Sequence, residues 1–382
     1  MSDWLRRPST YLGLPMLLAC GLTLLTYDFP PGYMEGMVLL CAIALAAMLG
    51  DAVLRTRLPD AGRFRQRRYA GTRESFVALA FAIAVALFCL CDVTLFPVPL
   101  LGDPSTYATM TDGREHVRHV SDMCWALPVI GLLCARQRWL RNVLIVVGVA
   151  FPILVIDRNR LFASLIALGM VIVLRRDPAR ALPWKTVTAL GVAAATLFAI
   201  LGIVRTGSLE YVALPFSDVY KASPVGIKWL LLYVSAGPYN FSAILAKHYE
   251  NAAFLVNQLV PMAGSVATAG TDIPLDAPNI NVGTEFFPFL MAWGPYGAAA
   301  SFFVLYALLL WSVRRLRGVA LFPLLIFLRV AYVCLMAPFA PQAFTWTNGG
   351  FLVLCLLMQV LAAWLPNRRG AAAATRLPRP AA

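Results

Sequence analysis

The segment VIDRNRLFAS, residues 155–164, sets Asp157, Arg158, Asn159 and Arg160 between two apolar runs, 142–156 and 161–174. Guanidinium groups stay charged, and their planar fork of donors meets phosphate oxygens two at a time. Arg158 and Arg160 are therefore candidates for holding an anionic group, and Arg205, at the end of a later apolar run, extends the set to three. Such a set suits a diphosphate. The competing reading is structural: Asp157 pairs with one arginine while both cap a turn and touch lipid headgroups. Arg329, within LIFLRVAYV, sits about ten residues inside an apolar run, where a cation is costly unless a partner or a cavity receives it. His116 and His119, near Asp112 and Glu115, form only a weak metal pair. Cys89 and Cys91 lack the second pair that a zinc site needs, so no metal or other cofactor is expected.

The elements that position these residues are membrane spans. Of the 382 residues 60% are hydrophobic and 13% charged, with a mean hydropathy of +0.73, which leaves too little polar surface to cover a soluble globule. Apolar stretches here are continuous instead of alternating, so the spanning element is a helix and not a barrel strand. The expected fold is all-α and polytopic, a single transmembrane domain over 1–382. About ten helices are predicted, over 9–27, 33–50, 75–96, 121–135, 141–156, 161–174, 183–204, 285–312, 319–337 and 347–365. The first is read as a retained helix and not a cleaved signal peptide. All eight cysteines lie in these spans as packing residues, and the tail over 370–382 is expected to be disordered.

Charge sets the orientation. Arg6 and Arg7, the run Arg55 to Arg73, Arg136 to Arg141, Arg175 to Lys185, Arg314 to Arg317 and Arg368 to Arg379 all fall on one side of a ten-span arrangement. They comprise 23 of the 32 basic residues, with only five of the 19 acids. That side is the expected cytoplasmic face, with both termini on it. The net charge of +13 then reflects topology and anionic lipid headgroups, and no nucleic-acid partner is expected. VIDRNRLFAS becomes an outer turn whose arginines run against the trend. Two outer loops follow, about 97–120 and 205–284, the second too long to be a mere connection. Within it GIKWLLLYVSAGPYNFSAILAKH is predicted to form one or two short amphipathic or re-entrant helices broken at Gly237 and Pro238, and TDIPLDAPNINVGTEFF a structured loop.

The order of these features resembles the bacterial O-antigen polymerase family, the oligosaccharide repeat-unit polymerases. The residues that carry the likeness are DRNRLFASLIALGMVIVL, then YVSAGPYNFSAIL, then NVGTEFFPFLMAWGPYGAAASFF, from Asp157 to Trp311. It departs from the family where an acid often precedes the first glycine: here Trp293, Gly294, Pro295, Tyr296 and Gly297 stand. The resemblance implies a GT-C-like glycosyltransferase in a bacterial inner membrane. Such an enzyme polymerises undecaprenyl-diphosphate-linked repeat units at the periplasmic face into O-antigen, capsule or exopolysaccharide. A polysaccharide chain-length regulator is an implied partner, besides membrane lipids. Under that reading Arg158, Arg160 and Arg205 stabilise the departing diphosphate. Glu285, Asp276 and His248 are candidate proton acceptors for the attacking hydroxyl. Tyr233, Tyr239, Asn240, Asn281, Thr284 and Arg329 are candidates for holding sugar hydroxyls or phosphate. Bland roles stand beside these: Glu285 as a helix N-terminal cap, His248 as an exposed loop residue, the two tyrosines as interface aromatics. Two alternatives stay open. One is the related O-antigen ligase, which delivers glycan to lipid A core. The other is a lipid-linked oligosaccharide transporter, although the chain shows none of the paired broken helices of internal repeats.

Overall fold

A computed structural model describes residues 3–103, 113–177, 212–260, 273–277, 280 and 282–366, with scattered residues between 185 and 200. The chain is all-α, and among the described residues the one strand-like pairing is a bridge between Tyr27 and Phe216. Among the described residues six helices are long and apolar enough to cross a membrane: Ser9–Thr26, Tyr33–Leu54, Arg73–Leu95, Arg114–Cys134, Phe287–Gly318 and Trp346–Trp364. Shorter helices, Arg138–Leu154, Arg158–Leu174 and Leu321–Met336, coincide with three further expected spans. The expected span 183–204, like Arg205, Asn281 and the tail 370–382, lies wholly or mostly outside the described residues.

In chain order the helices are α1 (Ser9–Thr26), α2 (Tyr33–Leu54), α3 (Ala61–Gln66), α4 (Arg73–Leu95), α5 (Arg114–Ser121), α6 (Ala126–Cys134), α7 (Arg138–Leu154) and α8 (Arg158–Leu174). They continue as α9 (Asp218–Ala222), α10 (Val225–Ala246), α11 (Ala252–Leu259), α12 (Phe287–Arg315), α13 (Leu321–Met336) and α14 (Trp346–Trp364). Large apolar side chains stay exposed along α2 (Val38, Leu45, Leu49, Val53), α4 (Ile83, Leu87, Leu90) and α14 (Val353, Leu357, Leu361). The opposite faces of the same helices are buried in one continuous core, while α13 has almost no exposed residue. Helices apolar on both faces suit a bundle surrounded by lipid.

The connections gather at two ends. At one, Tyr69 donates to the Val319 carbonyl, the Leu321 amide donates to Glu74, Arg73 donates to Ala363, and Arg65 pairs with Asp177. This is the arginine-rich end. At the other end the turn between α7 and α8 meets the connection after α4, the helix α13 and the α13–α14 connection, and the last of these binds Glu285 just before α12. Arg158 and Arg160 thus stand at the end away from most of the basic residues.

Two sequence expectations change here. The fourth span begins at Arg114 and not at 121, because α5 runs through a short 3-10 turn, Asp122–Trp125, into α6. Arg114 and Arg118 therefore leave the expected outer loop. The helix expected to break at Gly237 and Pro238 is continuous over α10. Every residue from Ser235 to Ile244 is buried, so this half is no amphipathic surface helix. It packs against α1 and α2, and the Ser235 hydroxyl folds back onto the Leu231 carbonyl (2.6 Å) one turn before the proline. Packing on all sides holds a proline-bearing helix that would be weak alone. Gly237 is there for closeness: a Cβ at this position would collide with the Pro338 carbonyl oxygen of the α13–α14 connection. Gly237→Ala is expected to cost about 1–3 kcal/mol through this overlap. The measurement is the thermal midpoint of detergent-purified protein, and an unchanged midpoint contradicts the contact.

The α12 helix kinks where the sequence reads WGPYG. Gly294 has φ 64° and ψ −160°, a backbone region open in practice only to glycine, and Pro295 starts the long segment that follows. Trp293 and Tyr296 are left exposed at this end, where aromatics with a polar edge suit a membrane interface.

Candidate functional site

The site grows from a buried acid. Asp92, near the end of α4, is fully buried, and such a carboxylate needs cationic partners. Arg114 donates to it through Nε (3.2 Å) and Nη2 (3.0 Å), and Arg118 through Nε (2.6 Å). Residues 114, 118 and 122 recur at the four-residue spacing that shares one helix face. Asp122, next along that face, ion-pairs with Arg160 of α8. Arg160 also meets Asp157 (3.2 Å), whose carboxylate caps α8 by accepting from the Arg160 amide (3.0 Å). The structural role first weighed for Asp157 is thus the observed geometry on the Arg160 side. Ile156, just before, has φ 52°, a left-handed conformation that a β-branched residue adopts only under constraint.

Arg158 leaves the turn in another direction. Its guanidinium lies over the Tyr233 ring of α10, 5.5 Å from the centroid. Between the two arginines, Asn159 accepts from the Tyr332 hydroxyl of α13 and from Gln342 Nε2 (2.7 Å). Arg329, one helical turn below Tyr332, donates through Nε to Asn348 Oδ1 (2.8 Å). Its guanidinium stands 5.8 Å from the Trp125 ring and 5.7 Å from the Tyr332 ring. Its neighbours from Leu321 to Leu328 and from Val330 to Cys334 are buried, yet Arg329 keeps part of its surface.

Glu285 is buried and spends both oxygens on backbone. It accepts from the amides of Gln342 (2.5 Å), Ala343 (2.8 Å) and Phe344 (3.0 Å), and its own amide donates to Ala337 (2.7 Å). It clamps the connection that presents Gln342 to Asn159. Thr284 lies buried beside it, close to Gly237. Glu285→Ala strips three amides of their acceptor, at about 1–3 kcal/mol for each one left buried and unpaired. The expected result is a large drop in thermal midpoint for Glu285→Ala and a smaller one for Glu285→Gln, which keeps one acceptor oxygen.

A second group lies on the other flank of α10. Asp276 accepts from Tyr33 (2.8 Å), Tyr239 (2.8 Å) and Lys247 (2.6 Å), while Asn240 donates to the carbonyls of Ile280 and Val282 (2.8 Å each). Burial acts to raise the Asp276 carboxyl, but hydrogen bonds from Lys247, Tyr239 and Tyr33 overcome it and hold the group below its usual range. That makes a fastening for the 273–282 segment and a weak proton acceptor at neutral pH. His248 is exposed after α10, with φ 50°.

The structure therefore brings together Arg158, Arg160, Arg329 and Tyr233, and leaves Asp276, Tyr239, Asn240 and His248 apart from them. Sequence reasoning missed Asp92, Arg114, Arg118, Asp122, Asn159, Gln342 and Asn348. A signal existed: Asp92 is an acid inside the apolar run FCLCDVTLF, and Arg114 and Arg118 have the spacing of one helix face. Among the described residues no group of three His, Cys, Asp or Glu is arranged to hold a metal.

What remains is a cluster of five arginines against Asp92, Asp122 and Asp157, with Glu285 in electrostatic reach of Arg329, which leaves one more cation than anions. Nη1 of Arg160 and Nη2 of Arg118 are buried with no hydrogen-bond partner among the described residues. An anion entering here would meet preorganised donors in a water-poor setting. No family model, no curated protein and no solved structure matches this chain.

Proposed function

We propose that this protein is a glycosyltransferase of the O-antigen polymerase type, which joins lipid-diphosphate-linked repeat units at the outer face of a bacterial inner membrane. In this reading ten spans cross the membrane, both termini are cytoplasmic, and the end bearing Arg158 faces the periplasm. The observation that carries it is the excess of arginine, partly open to the surface through Arg158 and Arg329, at the end where the positive-inside trend places fewest cations. A lipid diphosphate leaving group requires such donors, and its lipid tail stays in the membrane that surrounds the bundle. The resemblance of DRNRLFAS, YVSAGPYNFSAIL and NVGTEFF to the family adds the sugar chemistry.

Roles follow from the contacts. Arg158 and Arg329 bind the diphosphate oxygens. Arg160, held between Asp122 and Asp157, positions the turn. Asn159, Gln342 and Glu285 hold the two arginine-bearing segments at one spacing. The test is full-length protein in lipid nanodiscs with synthetic undecaprenyl-diphosphate repeat units, the products resolved on gels. A ladder of multiples supports polymerisation. Product formed only on addition of lipid A core points to a ligase instead, and neither product under either condition overturns the glycosyltransferase reading.

A further inference from the structure

The proton acceptor for the attacking sugar hydroxyl is not among the acids first considered. Glu285 gives both oxygens to three backbone amides, and Asp276 receives three donors on the far flank of α10. The chain has three histidines. His248 follows α10 away from the arginines, and His116 is largely exposed, 3.8 Å from Glu115. His119 differs. It is exposed on α5, one step round the helix from Arg118, and its ring packs edge-on against Trp346 at the start of α14, 4.6 Å between centroids. Asp122 lies within electrostatic reach of His119, Arg118 and Arg160, and Arg329 senses it as well. Trp346 is two residues from Asn348, which orients Arg329. Thus one aspartate and one short helical segment tie His119 to both sides of the arginine cluster.

Building on the glycosyltransferase reading, we infer that His119 and Trp346 form the acceptor-sugar subsite, with His119 as the catalytic base. The sugar packs its apolar face on the Trp346 indole. The imidazole takes the proton of the acceptor hydroxyl as its oxygen bonds to the anomeric carbon. The bond from that carbon to the diphosphate oxygen breaks, and the electron pair leaves with the lipid diphosphate, held by Arg158 and Arg329. The imidazolium then releases its proton to solvent.

The experiment uses full-length protein in nanodiscs and two readouts, turnover of the synthetic lipid-diphosphate repeat unit and binding of undecaprenyl diphosphate alone. His119→Gln is expected to lower turnover on the order of 10²–10⁴-fold, to remove the acid limb of the pH–rate profile, and to leave undecaprenyl diphosphate binding unchanged. His119→Gly is expected to regain part of its turnover with added imidazole, which a packing role does not predict. Trp346→Ala is expected to raise KM for the acceptor more than it lowers kcat, with Trp346→Phe intermediate. Wild-type turnover with an intact pH profile in His119→Gln overturns the assignment of the base. Undecaprenyl diphosphate binding that is unaffected by the paired change Arg158→Ala with Arg329→Ala overturns the underlying reading, whatever His119 does.

Discussion

If the protein is the proposed glycosyltransferase, Arg329→Ala is expected to reduce glycosyl transfer on the order of 10²–10³-fold or more while the protein stays folded. The rate loss is the typical cost of removing one preorganised donor from a developing oxyanion. The fold survives because no acid depends on this arginine alone: its hydrogen-bond partner is the neutral Asn348, which stays anchored through Nδ2 to the Ala343 carbonyl (2.8 Å). Arg329→Lys keeps the charge but loses the planar fork, so it should recover only a fraction of the rate. The check is single-turnover kinetics in nanodiscs beside a thermal midpoint for the same preparation. A rate within tenfold of the unchanged protein removes Arg329 from the diphosphate site and leaves it as a packing cation between Trp125 and Tyr332.

Asp92 carries the largest expected effect on stability. Asp92→Ala leaves Arg114 and Arg118, both nearly inaccessible, without their shared carboxylate, and a buried pair broken on one side costs about 3–5 kcal/mol. The expected readout is loss of monodisperse protein after detergent extraction. The same principle gives the control. Asp92→Leu combined with Arg114→Met and Arg118→Leu replaces the whole ionic group by apolar side chains and should restore extraction. If the triple variant folds, its turnover then reports on Asp122 and Arg160, which lose Arg118 as a neighbour. Normal extraction of Asp92→Ala contradicts the geometry at the end of α4.

Much of the architecture was legible because membrane spans write themselves in composition. Nine of the ten expected apolar runs coincide with described helices, since a lipid-facing helix is apolar over its whole length and needs no partner to be seen. The uneven distribution of arginine likewise separated the two ends before any contact was known. Legibility failed where burial depends on other helices. Arg114 and Arg118 read as loop residues because their cost is offset by Asp92, 22 and 26 positions away. GIKWLLLYVSAGPYNFSAIL read as broken at Gly237 and Pro238, since nothing local reveals that α1, α2 and Pro338 enclose it.

For the site, the residue types were readable and their division of labour was not. The sequence by itself determined that arginines stand in a short turn between two apolar runs, that Arg329 is deep in an apolar run, and that Asp157 is close enough to pair with a neighbour. Only the tertiary structure decided which arginine is spent: Arg160 is held by Asp122, 38 positions earlier, and by Asp157, while Arg158 turns to Tyr233 and Arg329 keeps part of its surface. The physical reason is that a charge in a low-dielectric bundle is defined by whichever opposite charge packs against it, and packing between distant segments is not a property of local sequence.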